Sequence, residues 1–183
     1  MTPLVSWWKA GILFAVALSA GVEESPARYV SSAAPPQPVS CSAPEYRQFD
    51  FWVGNWDAFE IDGTAPVARN RVDLILDGCV LREDYQGADG LNGQSFTIYD
   101  ASRKVWHQSW VTNRGQLLII EGKVEDGEMV LSGVDHPAAD GERHVRGVWK
   151  PVTGGVRETA VISMDGGKTW KPWFDLVFRP HKP

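Results

Sequence analysis

What this chain lacks narrows its chemistry first. Four histidines occur among the 183 residues, and no two of His107, His136, His144 and His181 stand at the spacing of a zinc-ligand pair, so no metal site is expected. A Gly-x-Ser-x-Gly elbow is missing, and neither Ser95 nor Ser109 has the adjacent histidine and acid that would make it a nucleophile. The glycines of Gly87-Ala88-Asp89-Gly90-Leu91-Asn92-Gly93 precede a strand pattern rather than a helix, which makes them a loop and not a phosphate cradle. Basic runs are also missing. The formal charge of −5, about −6 once Lys9 leaves with the signal peptide described below, is spread along the chain, which disfavours nucleic acid and anionic membrane surfaces as partners. No apolar run reaches the roughly 20 residues that cross a bilayer, so no membrane span is expected.

What is present begins with a compartment. Lys9, the apolar run from Ala10 to Leu18, and then Ser19-Ala20-Gly21 follow the order of a secretory signal peptide, with cleavage expected near Ala20 or Gly21 and a periplasmic or secreted product. Residues 21–40, with Pro26, Pro35, Pro36 and Pro38, read as a disordered Ala/Pro/Ser-rich leader. Residues 41–183 then form one domain, long enough for a single core. The two cysteines, Cys41 and Cys79, are expected to pair in the oxidising space, the competing reading being a reactive or metal-binding thiol pair.

From Asn55 to Arg179 about ten strand-length segments alternate with Gly, Asp and Asn turns such as Asp62-Gly63, Asp77-Gly78, Asn92-Gly93 and Asp126-Gly127. The strands are expected at about 55–61, 67–76, 79–86, 94–99, 104–112, 116–124, 128–133, 143–150, 155–163 and 169–179. Short connections imply an all-β, antiparallel up-and-down barrel, whose closure removes exposed edges. Ahead of it, Ser42-Ala43-Pro44-Glu45 has the form of a capping box, predicting a short N-terminal helix over about 43–51 with Tyr46, Phe49 and Trp52 covering one barrel end.

Period-two alternation groups side chains by face without saying which face looks inward. Trp106, Gln108 and Trp110 share a face; so do Leu81, Glu83 and Tyr85, and so do Arg143, Val145, Gly147 and Trp149. In the ninth strand Arg157, Thr159, Val161 and Ser163 separate from Val156, Glu158, Ala160 and Ile162. Large aromatics alternating with a few polar groups make a pocket wall, and the candidate ligand-binding set is Glu83, Tyr85, Tyr99, Trp106, Gln108, Trp110, Arg143, Trp149 and Arg157. Core filling is the plainer role for any one tryptophan, because a small barrel needs bulk in its lumen. An inward Glu83 would sit in an apolar space unless Arg143 or Arg157 answered it, and such a Glu–Arg pair could orient a ligand or serve as acid or base.

Phe49-Asp50-Phe51-Trp52-Val53-Gly54-Asn55-Trp56-Asp57, with Asp77-Gly78-Cys79, Tyr99-Asp100, Trp106-His107-Gln108-Ser109-Trp110 and the segment from Ser163 to Trp170, resembles an exported bacterial calycin-like family described as a domain of unknown function. More distantly the chain is similar to lipocalins, fatty-acid-binding proteins and nitrobindins, in which the tryptophan of a Gly-x-Trp motif, here Gly54-Asn55-Trp56, closes the barrel base. The resemblance implies a central cavity and small apolar ligands or haem. Nitrobindin-like haem binding uses a histidine near the C-terminal strands; here that region offers His181, beyond Arg179-Pro180, so no cofactor is expected. Ser163-x-Asp165-x-Gly167-x-Thr169-Trp170 also matches the Asp-box of sialidases, as a structural turn rather than glycosidase chemistry.

Three readings follow. The first is an exported, non-enzymatic protein holding a small apolar or aromatic ligand in its barrel. The second is a cavity isomerase, lyase or hydrolase using Glu83 with Arg143 or Arg157. The third is an envelope interaction scaffold, which a contiguous apolar patch outside the barrel mouth or a stable dimer would favour.

Overall fold

The computed structural model describes residues 41–137 and 141–182. The expected signal peptide and leader lie outside the described residues. Ten strands follow one another: β1 (Gly54–Glu60), β2 (Ala68–Ile75), β3 (Val80–Gly87), β4 (Asn92–Asp100), β5 (Val105–Thr112), β6 (Leu117–Glu125), β7 (Glu128–Asp135), β8 (Arg143–Val152), β9 (Gly155–Ser163) and β10 (Lys171–Pro180). Each pairs antiparallel with the next, and β1 pairs with β10 from Trp56↔Pro180 to Glu60↔Leu176, which closes the barrel. Among the described residues no helix is long and apolar enough to cross a membrane.

Turn chemistry explains the divisions. Between β6 and β7, Asp126 and Gly127 have φ of 50° and 82°, the doubly left-handed pair of a tight hairpin whose twist matches the flanking strands. Asn92-Gly93, expected as a turn, instead opens β4, and the reason is steric. A Cβ on Gly93 would lie 2.3 Å from the Trp110 ring on the neighbouring strand, so the glycine makes room for that indole. Gly54 does the same for Trp56, whose ring folds back to within 2.3 Å of the position a Cβ would take.

The helix expected over 43–51 is replaced by two 3-10 turns, Pro44–Arg47 and Asp50–Trp52. Ala43, not Ser42, takes the capping position, and no side chain caps the turn. The break between the turns aims Phe49 and Trp52 into the barrel, where they are 0% and 1% exposed. Phe49 meets Trp106 and Trp149 edge-on at 5.8 and 5.6 Å, and Trp52 meets Phe178 at 4.6 Å. Trp56 stacks on Trp52 at 6.1 Å and donates from Nε1 to the Trp52 carbonyl at 3.1 Å. Burial of such rings is the dominant stabilising term, about 2 kcal/mol or more for each, and the edge-on pairs add to it.

These two turns and their aromatic side chains plug one end of the barrel, and the plug is also tethered. Cys41 and Cys79 form a disulfide with a Cα–Cα distance of 5.1 Å, joining the plug to the turn between β2 and β3. Arg47 donates to the carbonyl of Gly78 in that same turn, and Trp106 donates from Nε1 to Gln48 at 3.1 Å. One end of the barrel is therefore sealed by aromatic packing and held by a covalent bond.

Candidate functional site

The opposite end carries the inward ends of the strands that leave the plug: Ala58, Ala68, Tyr85, Gly93, Trp110, Leu118, Asp135, Arg143, Ile162 and Phe174 are placed there by strand register. Tyr85, Trp110, Ile162 and Phe174 keep accessible surface although they share the inward face with fully buried neighbours. The Tyr85 and Trp110 rings meet edge-on at 5.9 Å across β3, β4 and β5. A hollow of about 430 Å³ lies on the outer side of the rim, where Asp84, Gln86, Gln94 and Val111 line it together with Tyr85 and Asn113, and it is separate from the lumen.

Below this mouth a layer of polar side chains interrupts the apolar lumen wall. Glu83 on β3 accepts from Asn70 Nδ2 at 2.9 Å and from Ser95 Oγ at 2.8 Å. Gln108 donates to Thr97 Oγ1 at 3.0 Å. Across the barrel, Glu158 on β9 is flanked on its face by buried Val156 and Ala160, and it accepts a hydrogen bond from the side chain of Trp149, its partner on β8. Burial pushes the Glu83 carboxyl above its ordinary value, against the bonds from Ser95 and Asn70 that favour its ionised form. Burial lifts Glu158 well above the ordinary value, and the nearby Glu83 charge adds to the effect. The Tyr85 hydroxyl is pushed up to about 12, first by burial and then by the charges of Glu158, Asp89, Glu83 and Glu60.

Neither arginine answers these carboxyls, which corrects the expected Glu–Arg pair. Arg157 lies on the outward face of β9, where its Nε donates to Asp175 at 2.8 Å and its second guanidinium nitrogen binds the same carboxylate. Residue parity decides this: once Val156 and Ala160 face the core, Arg157 must face out. Arg143 does share the inward face of β8, but at the rim, where it pairs with the buried Asp135 and lies over the Trp173 ring at 4.7 Å. A bulge between Pro172 and Phe174 leaves Trp173 outside the alternation of β10 and brings it to Arg143.

The remaining expected site residues divide between lumen and plug. Glu83, Gln108, Tyr85 and Trp110 face the lumen or its mouth. Tyr99, Trp106 and Trp149 belong to the plug: Trp106 and Trp149 are 1% and 4% exposed, and Tyr99 packs on Tyr46 at 5.3 Å and Trp106 at 5.8 Å. Trp149 alone of these also reaches the polar layer, through Glu158. Asn70 and Glu158 were missed. Their signal was a polar side chain in the middle of an otherwise small or apolar face, Ala68-x-Asn70-x-Val72 and Val156-x-Glu158-x-Ala160.

Two other motifs have structural roles. Asp165 accepts from Lys168 N at 3.0 Å, Thr169 N at 2.9 Å and Thr169 Oγ1 at 2.7 Å, while Trp170 Nε1 donates to Gly167 O at 3.0 Å, so the Asp-box is a turn device. His181 bonds Asp57 at 2.9 Å on the outer face of β1 and does not look into the lumen. No group of three or more metal-ligating side chains occurs among the described residues. No protein-family model matches the chain, and no curated protein matches it.

Proposed function

We propose that this barrel is an exported carrier that takes a small molecule with an apolar or aromatic body into its lumen through the end opposite the plug, in the manner of the calycin-like barrels it resembles. The observation that carries the reading is the contrast between the two ends. Aromatic side chains seal one, whereas inward-facing Tyr85, Trp110, Ile162 and Phe174 keep accessible surface at the other. A mostly apolar wall with a few fixed polar groups suits one small ligand. The Cys41–Cys79 disulfide supports export.

The test is a titration with N-phenyl-1-naphthylamine, a neutral apolar fluorophore. Saturable one-to-one binding, with energy transfer from tryptophan and weakened several-fold in Trp110→Ala, is the expected result. Absence of saturable binding to the folded wild type would overturn the proposal.

One observation favours a second reading, the interaction scaffold. On the outer wall of β4, β5 and β6 lie Phe96, Ile98, Val111, Leu117 and Ile119, between 37% and 56% exposed. Register makes them neighbours, since Phe96 pairs with Ser109, Ser109 with Ile119, and Val111 with Leu117. Contiguous apolar surface of this kind marks association. Light scattering after chromatography tests it: a dimer that dissociates in Phe96→Ser supports the scaffold, and a monomer at all concentrations removes self-association.

A further inference from the structure

The polar layer of the lumen has more acceptors than donors. Asn70 is 0% exposed, and its Oδ1 has no hydrogen-bond partner although its Nδ2 is engaged by Glu83. Glu83 receives two hydrogen bonds and Glu158 one, which leaves acceptor capacity on both carboxyls. Among the described residues no lysine, arginine or histidine forms an ion pair with either carboxyl: Arg143 is engaged by Asp135 and Arg157 by Asp175. An unpaired buried acceptor is costly, and two carboxyls facing one lumen without a cation are costlier still. Each is offset if the ligand brings the donors and the positive charge.

The rings beside this layer suit the rest of such a ligand. Tyr85 and Trp110 stand between the polar layer and the mouth, where π-faces attract a cation on its way in and apolar edges hold its body. Desolvation favours the neutral form of both carboxyls in the empty barrel, with Glu83 adding to it at Glu158 and Asp84 adding to it at Glu83, so a bound cation would hold them ionised.

Resting on the carrier reading above, we infer that the ligand class is a protonated primary amine carrying an apolar or aromatic body, its ammonium donating to Glu83, Glu158 and Asn70 Oδ1. The carboxyls do not act here as acid or base on a substrate; they recognise charge. A quaternary ammonium fits less well, because it has no N–H for the orphan amide oxygen.

The experiment is displacement of N-phenyl-1-naphthylamine at pH 8 by two isosteres, 2-phenylethylamine, which is protonated there, and 2-phenylethanol, which is neutral. The amine is expected to displace the fluorophore at concentrations at least tenfold below those the alcohol needs. In Glu158→Gln and in Asn70→Leu that preference should shrink toward unity, the first variant by removing charge and the second by removing the orphan acceptor. Since glutamine relieves a buried charge, Glu158→Gln should remain folded, and its thermal transition checks this. Equal displacement by amine and alcohol in the wild type would overturn the amine assignment while the carrier reading stands; displacement by neither would do the same. Failure of the fluorophore itself to bind would instead bring down the carrier reading and this inference with it.

Discussion

A carboxyl that folding withdraws from water without a cation is most stable protonated, and half-buried Glu158 is in that situation. Glu83 repels it, and Tyr85, itself facing Glu60 and Asp89 at the mouth, offers no positive charge. Asp84, next in sequence to Glu83, adds to the repulsion there. The folded-state pKa values of both glutamates lie above the ordinary 4.5, so the folded chain binds protons more tightly than the unfolded one. The contribution to stability is then full below about 4.5 and is lost as the pH rises through the raised values. Glu158→Gln should accordingly stabilise the empty barrel at pH 8, by about 1 kcal/mol, and have little effect at pH 4. Paired thermal melts across that range measure it, and the difference between variant and wild type cancels the opposite trend of the exposed, arginine-bound carboxylates. A second residue-scale prediction concerns Gly122. A Cβ there would stand 1.9 Å from the carbonyl oxygen of Val130, so Gly122→Ala should cost about 2 kcal/mol in denaturant unfolding.

At the scale of elements, the plug is the piece that decides which end is open. It contributes few backbone hydrogen bonds of its own, and its position rests on ring packing, the Arg47 bond to Gly78 and the disulfide. The bridge joins residues 38 apart, so Cys41→Ser with Cys79→Ser should lower stability by up to about 4 kcal/mol on loop-entropy grounds. Hydrogen exchange should rise first at residues 44–53 while the strands stay protected. Strand existence was legible in the sequence because residues that tolerate positive φ, such as Asp126-Gly127, punctuate it. The plug was legible as a cover but not as 3-10 turns, since Ser42 and Glu45 have the letters of a capping box and the tether and Phe49 override them. Faces were the least legible. β4 puts Ser95 and Thr97 inside and Phe96 and Ile98 outside, the reverse of the usual rule, so alternation alone could not orient it. Asn70 on β2 and Glu158 on β9 were not singled out for a different reason: one polar residue within an apolar inward face looks, in one dimension, like an interruption of the pattern.

At the scale of the whole molecule, the barrel is sealed at one end by the plug, keeps accessible aromatic side chains at the other, and holds hydrogen-bond acceptors between the two. Glu83, Tyr85, Gln108 and Trp110 were foreseeable from shared parity; the separation of Trp106 and Trp149 from them needed the plug's position in space. The carrier and scaffold readings place activity on opposite sides of the same wall, since β4 contributes Ser95 to the lumen and Phe96 to the exterior. They can therefore be separated by mapping. The most direct measurement is a proton–nitrogen correlation spectrum of the labelled protein titrated with 2-phenylethylamine. The account predicts that the Trp110 indole N–H and the amides of residues 83–85 and 158–162 shift in a saturable way, with the Trp149 indole N–H moving as Glu158 changes partner. The indole N–H of Trp106, bonded to Gln48 in the plug, should stay in place. Shifts confined to residues 96–98 and 117–119 on the outer wall, or no shifts at all, would contradict it.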